Sequence, residues 1–174
     1  QNRVSHIGPR SAHISGLKYS CFADPEDLKT GKIVLIKPMP NDKSEYVAIK
    51  CDKETYAITN TCAANALGMI EKDDYAFANQ ESAKIALKTL AEFVGVSYHE
   101  IAMSIIQTAS FEITKTISKI LKEFKMNPSH TTLIGGGGGA SVLVPFVAKQ
   151  LGIKYEKAEH AEVISSIGVA SSML

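Results

Sequence analysis

Five consecutive glycines occupy residues 135–139, between the apolar segment TTLI and an amphipathic segment that ends at Gly152. Glycine loses more backbone freedom on folding than any other residue, so five in a row oppose order unless something requires them. A strand that ends in glycines and leads into a helix brings unpaired backbone N–H groups to the helix N-terminus, which is partly positive. The run therefore predicts a site where an anion or a nucleotide contacts bare main chain. The alternatives are a flexible loop and a point of close helix-to-strand packing.

Two nucleotide motifs can be compared with this run. A P-loop needs Lys and then Ser or Thr after its last glycine, but here Ala140 and Ser141 follow, so the P-loop is excluded. A dinucleotide-binding fingerprint fits loosely through Gly135, Gly137, Ala140 and Glu156. A glycine run satisfies any glycine spacing, and too little chain follows for the rest of such a sheet. A dinucleotide-binding domain is therefore the less favoured alternative.

The hydrophobic periodicity changes along the chain from a strand pattern to a helix pattern. Strands are predicted at residues 32–37, 45–52 and 55–59, which suggests an antiparallel meander, and then at 130–134 and 153–157. The first helix is predicted after Thr59, with Asn60 or Thr61 as its cap, and the second at residues 82–94. A third runs from the capping box SYHE to Met126. The last two are predicted from the glycine run to Gly152 and from His160 onward. This order predicts an α/β fold with a mixed sheet flanked by helices. Residues 1–30 are mixed and resemble loops.

Composition excludes several classes of function. The formal net charge of +1 on 174 residues, with scattered lysines, predicts neither a nucleic-acid partner nor a membrane surface. The three cysteines are too few and too separated for a disulfide framework, and no signal peptide is evident, which predicts reduced thiols and a cytoplasmic location. The opening QNRVSHIGPRSAHIS lacks an initiator Met, so we expect a fragment of a larger protein.

Four segments of the chain resemble successive blocks of the hydantoinase/oxoprolinase family, and most closely its A-type subunit. They are GPRSAHISGLKYSCF, TNTCAANALG, LIGGGGGASVLVPFVAKQLG and HAEVISSIGVASSML, in the order and at the intervals of that family. The resemblance implies the fold of the actin, sugar-kinase and heat-shock chaperone ATPase superfamily. Residues 31–174 would form its second, ribonuclease H-like lobe, and residues 1–30 a loop-rich segment of the parent protein.

The same resemblance implies an activity and its cofactors. Such proteins use ATP and Mg²⁺ to open a cyclic amide, a hydantoin or 5-oxoproline, by hydrolysis, and some work with a B-type subunit. The match makes the glycine-rich turn the adenosine motif, which holds the adenine and ribose of ATP; its residues are Gly135, Gly136, Gly137, Gly138, Gly139, Ala140 and Ser141. The two phosphate motifs of the family are not in this sequence. ATP and Mg²⁺ would therefore be bound mainly by other parts of the parent protein, and the isolated fragment would be inactive.

The catalytic residues are not identified by the sequence. Arg10 and His13 lie in a polar block that the resemblance places near the cleft, where Arg10 could grip a phosphate or a carboxylate. Cys62 stands near a helix start, where a thiol can have a lowered pKa, although buried cysteine is also common there. No spacing indicates a metal site. The alternative function is a non-catalytic nucleotide-binding or assembly module of the same superfamily.

Overall fold

The computed structural model describes residues 17–37 and 45–172. In these residues the strands are β1 (Lys18–Tyr19), β2 (Lys32–Ile36), β3 (Tyr46–Lys50), β4 (Thr55–Ala57), β5 (Thr132–Gly135) and β6 (Lys154–Lys157). The α-helices are α1 (Pro25–Leu28), α2 (Asn60–Ala66), α3 (Gln80–Val94), α4 (Tyr98–Glu123), α5 (Ala140–Leu151) and α6 (Ile164–Ser172). Three short 3₁₀ turns span Ser20–Phe22, Pro128–His130 and Ala161–Val163.

The first four strands form one mixed sheet in the order β1-β4-β3-β2. Strands β2, β3 and β4 pair antiparallel, with Ile49 opposite both Ile33 and Tyr56, which confirms the predicted meander. Strand β1 pairs parallel with β4, so the segment expected to resemble a loop contributes an edge strand. The α/β class with a mixed sheet flanked by helices is confirmed.

The last two strands form a sheet of their own in the described residues. Strand β5 pairs parallel with β6, and Gly135 stands opposite Lys157. Parallel neighbours need a crossover connection, which α5 provides here. The glycine run leaves β5 at the same end of this sheet at which β6 finishes.

Local signals set most helix ends. Gly95 ends α3 in the left-handed conformation at φ 83°, and Ser97 with Glu100 forms the predicted capping box of α4. Helix α4 stops at Glu123, three residues before the predicted end. The cap of α2 is Thr59, whose side chain accepts from the backbone N–H of Cys62, rather than Asn60 or Thr61.

The core lies between the four-stranded sheet and helices α2, α3 and α4. Ile49, Leu87 and Ile106 are fully buried there, together with Cys21 from the first 3₁₀ turn. Val142 and Leu143 of α5 join the same cluster, which fixes the helix after the glycines to the body of the protein. None of the helices in residues 17–37 and 45–172 is long and apolar enough to cross a lipid bilayer.

Candidate functional site

The glycine run forms the bend between β5 and α5, as the sequence predicted. Strand β5 ends at Gly135, and Gly139 is the N-cap residue of α5. Gly136 is exposed, residues 137–139 are half-buried, and both ends of the run are buried at Gly135 and Ala140. The middle of the run is therefore open to solvent while its two ends are held in the protein.

Close packing explains the first two glycines. A Cβ on Gly135 would lie 2.9 Å from Cε2 of Tyr155 and 3.2 Å from Cβ of Ala140. A Cβ on Gly136 would lie 3.1 Å from Cγ2 of Ile164. A side chain on Gly135 would therefore require the Tyr155 ring to shift, whereas one on Gly136 would require Ile164 to give by a few tenths of an ångström.

Gly137 is different, because no packing requirement excludes a side chain there. Its φ of 99° lies in a region that L side chains rarely adopt, and a Cβ would meet no atom within 4 Å. The main chain at Gly137 therefore faces open space. A flat ligand could lie against it, and a side chain would stand in that ligand's place.

Backbone hydrogen bonds limit what this bend can bind. The N–H of Gly137 donates to the carbonyl of Ala161, and the N–H of Ala140 donates to the carbonyl of Gly137 at 3.0 Å. The N–H of Val142 also has an internal acceptor, the carbonyl of Gly139, at 3.1 Å. These three donors are used within the protein. These three N–H groups are therefore unavailable to a ligand, which restricts any anion at this helix N-terminus to the other backbone donors of the bend.

Asp74 is the residue at this site that the sequence did not reveal. Its Oδ2 atom accepts from the Ser141 hydroxyl and, at 2.9 Å, from Nζ of Lys157, while Oδ1 accepts from the N–H of Ala76 at 2.8 Å. Burial alone would raise the pKa of Asp74, but the bonds from Ser141, Ala76 and Lys157 outweigh it and lower the pKa. The carboxylate links the loop before α3 to the first turn of α5 and the end of β6.

Asn65 holds the loop that carries Asp74. Its fully buried amide donates to the carbonyls of Thr61 and Ala76, both at 2.9 Å, and accepts from the N–H of Ala78 at 2.9 Å. Three bonds on one side chain satisfy most of its capacity, which is the expected state of a buried amide. The loop around Ala76 is thus fixed to α2.

The Tyr155 ring closes the inner side of the bend. Its hydroxyl oxygen is buried, and the Ser141 hydroxyl is the polar group beside it. Burial raises the pKa of Tyr155, and the neighbouring Ser141 hydroxyl counteracts part of that rise.

Cys62 is placed in the core and away from solvent. Its sulfur contacts the hydroxyls of Ser20 and Thr59, each at 3.3 Å, and the fully buried Cys21. Burial alone would raise the pKa of Cys62, but hydrogen bonds from Cys21, Ser20 and Thr59 lower it to about 6. Hydrogen bonding to Cys62, with burial, raises the pKa of Cys21. Cys62 is 0% exposed, so its sulfur lies away from the surface of the described residues.

The other candidates do not join this site in the described structure. Arg10 and His13 lie outside the described residues. Glu156, the acidic residue of the dinucleotide alternative, is an exposed strand residue opposite Ile134. Within residues 17–37 and 45–172, no three His, Cys, Asp or Glu side chains group as metal ligands.

A separate groove of about 590 Å³ lies on another side of α5. Its lining is mainly apolar and includes none of the glycines; it consists of Met69, Met103, Pro145, Phe146, Lys149 and Gln150.

Comparison with known proteins gives one result that bears on identity. The family model described as hydantoinase/oxoprolinase matches residues 1–174, the full length of the chain. Comparisons with curated proteins and with solved structures gave no significant match. The family comprises hydrolases that act on cyclic amides. Because the family model spans residues 1–174, the chain belongs to the hydantoinase/oxoprolinase family.

Proposed function

We propose that this chain is part of an enzyme that opens a cyclic amide, of the hydantoin or 5-oxoproline class, with hydrolysis of ATP. In that enzyme the bend at residues 135–141 supplies the adenosine side of the nucleotide site. A cytoplasmic location and a B-type partner subunit remain part of this proposal.

The observation that carries the proposal is the bare main chain at Gly137. Its φ of 99° excludes ordinary side chains, and the space beyond it is open. Gly136, the preceding residue, is exposed. A purine or a ribose could therefore approach the backbone between β5 and α5 without meeting a side chain.

The residues at the bend fit a nucleoside better than a triphosphate. Three backbone donors at the bend are occupied, and the nearest charged pair, Asp74 with Lys157, is already satisfied. A phosphate placed beside Ser141 would meet the Asp74 carboxylate. We therefore assign the bend to the nucleoside.

The role of this chain is to bind and orient the nucleotide. When bound, ATP would supply a phosphoryl group to the amide oxygen, which makes the amide carbon more electrophilic towards water; ring opening then breaks the C–N bond, and the phosphoryl group ends as inorganic phosphate. Such transfers depend mainly on positioning and charge neutralisation. Helix α5 is anchored in the core by Val142 and Leu143, so the bend is held rigidly. A rigid bend keeps the nucleoside in one place while the phosphates extend away from it.

Turnover tests the reaction. The full-length protein is incubated with ATP, Mg²⁺ and either hydantoin or 5-oxoproline, and ADP and ring-opened product are measured together. We expect the two products in equal amounts, with neither formed when ATP or the cyclic amide is omitted. Ring opening without ATP would contradict the proposal. ATP binding without turnover of any cyclic amide would favour the alternative, a nucleotide-binding or assembly module.

A matched pair of glycine variants tests the nucleotide site. Gly137→Ala and Gly95→Ala each force a Cβ onto a backbone with positive φ, and each Cβ points into open space. Both should lose about 1–2 kcal/mol of stability. Only Gly137→Ala should weaken ATP binding in calorimetry. Equal ATP affinity in the two variants would show that the bend does not contact the nucleotide.

A further inference from the structure

The hydroxyl hydrogen of Ser141 is used in a hydrogen bond to Asp74. Ser141 stands in the first turn of α5, two residues after the last glycine, and its hydroxyl donates to Oδ2 of Asp74 at 2.5 Å. A serine hydroxyl has one hydrogen and two acceptor lone pairs. Once its hydrogen is given to Asp74, Oγ can only accept hydrogen bonds. The buried Tyr155 hydroxyl beside it can supply one, which leaves one lone pair of Oγ for a further group.

The partner carboxylate is held so that it cannot rotate away. Asp74 also accepts from Nζ of Lys157 and from the N–H of Ala76, and its side chain is only 8% exposed. Both of its oxygens are therefore tied to different segments of the protein. The loop that bears Asp74 is itself fastened to α2 by Asn65. The orientation of the Ser141 hydroxyl is thus set by contacts far along the chain.

We propose that Asp74 is a specificity-positioning residue for the nucleotide site: it makes Ser141 Oγ an acceptor for a hydrogen-bond donor of the nucleoside, either a ribose hydroxyl or the exocyclic amine. This inference rests on the proposed function. Charge supports it, because a phosphate at Ser141 would face the Asp74 carboxylate, whose ammonium partner on Lys157 is already engaged. A neutral donor on a nucleoside meets no such repulsion and finds a fixed acceptor.

Binding of two probes separates a specific role from a structural one. Adenosine and inorganic tripolyphosphate are titrated calorimetrically into the full-length wild-type protein and into four variants. Ser141→Ala and Asp74→Asn should each weaken adenosine binding about tenfold, the effect of one hydrogen bond, and leave tripolyphosphate affinity within about twofold. Ser141→Thr, which keeps the hydroxyl, and Asp73→Asn, at the exposed neighbouring acid, should bind adenosine like the wild type.

A series of analogues identifies the donor. 2′-Deoxyadenosine, 3′-deoxyadenosine and purine riboside each lack one donor of adenosine. One of them should bind the wild type more weakly than adenosine does, and for that analogue alone Ser141→Ala should cause no further loss. Strictly additive losses for all three would overturn the inference, because they would mean that Ser141 does not contact any of these donors.

The remaining outcomes separate this inference from the function on which it rests. A wild-type protein that binds neither adenosine nor ATP overturns both. Wild-type adenosine binding that is unchanged in Ser141→Ala and Asp74→Asn overturns only the role of Asp74. Parallel loss of adenosine affinity, tripolyphosphate affinity and melting temperature in Asp74→Asn also overturns it, since Asp74 would then act only on the fold.

Discussion

Ser141 and Asp74 are hydrogen-bonded although 67 residues separate them in the sequence. The bond joins the first turn of α5 to a loop that precedes α3, and Lys157 at the end of β6 binds the same carboxylate. Around one side chain, three segments that border the glycine bend are held together. This cluster makes the bend part of a fixed framework.

The charge of Asp74 should make stability depend on pH. Its folded-state pKa is lowered, so its stabilising effect is fully present above the unfolded value of about 3.9 and disappears as pH falls through the folded value. We expect Asp74→Asn to lose about 1–3 kcal/mol of unfolding free energy at neutral pH, and progressively less as the pH falls below the unfolded value. Denaturant unfolding of both proteins across this range measures the difference.

The neighbouring acid provides the control for that measurement. Asp73 is exposed, so Asp73→Asn should change the unfolding free energy by less than about 0.5 kcal/mol. A loss for Asp74→Asn that stays constant from neutral to acidic pH would show that its charge does not stabilise the fold.

Removing the Asn65 side chain should loosen the loop that carries Asp74. Asn65→Ala leaves the carbonyl of Ala76 and the N–H of Ala78 without their buried partner, so we expect a loss of about 2–4 kcal/mol. Hydrogen exchange should accelerate most in residues 71–79. Asn60→Ala, at the first position of the same helix, should be nearly neutral; an equal loss there would argue against the role of Asn65.

The three cysteines should be slow to react in the folded protein. Cys21, Cys51 and Cys62 are all free and buried. A lowered pKa makes Cys62 a thiolate more readily, but a reagent must also reach the sulfur. We expect a disulfide reagent to label all three slowly in native protein and immediately in concentrated guanidinium chloride. Fast native labelling of Cys62, located by peptide mass, would mean that solvent reaches it.

The capping box should contribute measurably to the long helix α4. Ser97→Ala removes the acceptor for the N–H of Glu100 and should lose about 1 kcal/mol in thermal or denaturant unfolding. Ser104→Ala, at an exposed position inside the same helix, should be neutral or slightly stabilising, since alanine is the better helix former. If both variants unfold alike, the box adds nothing to stability.

The elements of this fold were largely predictable because their signals are local. Strand alternation in KIVLI and YVAIK, the apolar stripe of α3, Gly95 at its end and the capping box at Ser97 all depend on residues within a few positions of each other. The family blocks and the place of the glycine bend between β5 and α5 were also visible in the sequence. The exact ends were less certain, as α2 shows with its cap at Thr59.

Tertiary structure alone decided which distant residues meet. It paired Asp74 with Ser141, placed Cys21 beside Cys62, and set Tyr155 against Gly135. It also showed that glycine is needed for different reasons at two positions. At Gly135 the reason is close packing against Tyr155, and at Gly137 it is a positive φ beside open space. Hydrophobic periodicity and capping signals depend only on residues that are close together in the sequence. Contacts across dozens of residues depend on how those segments pack, and a local pattern carries no record of that packing.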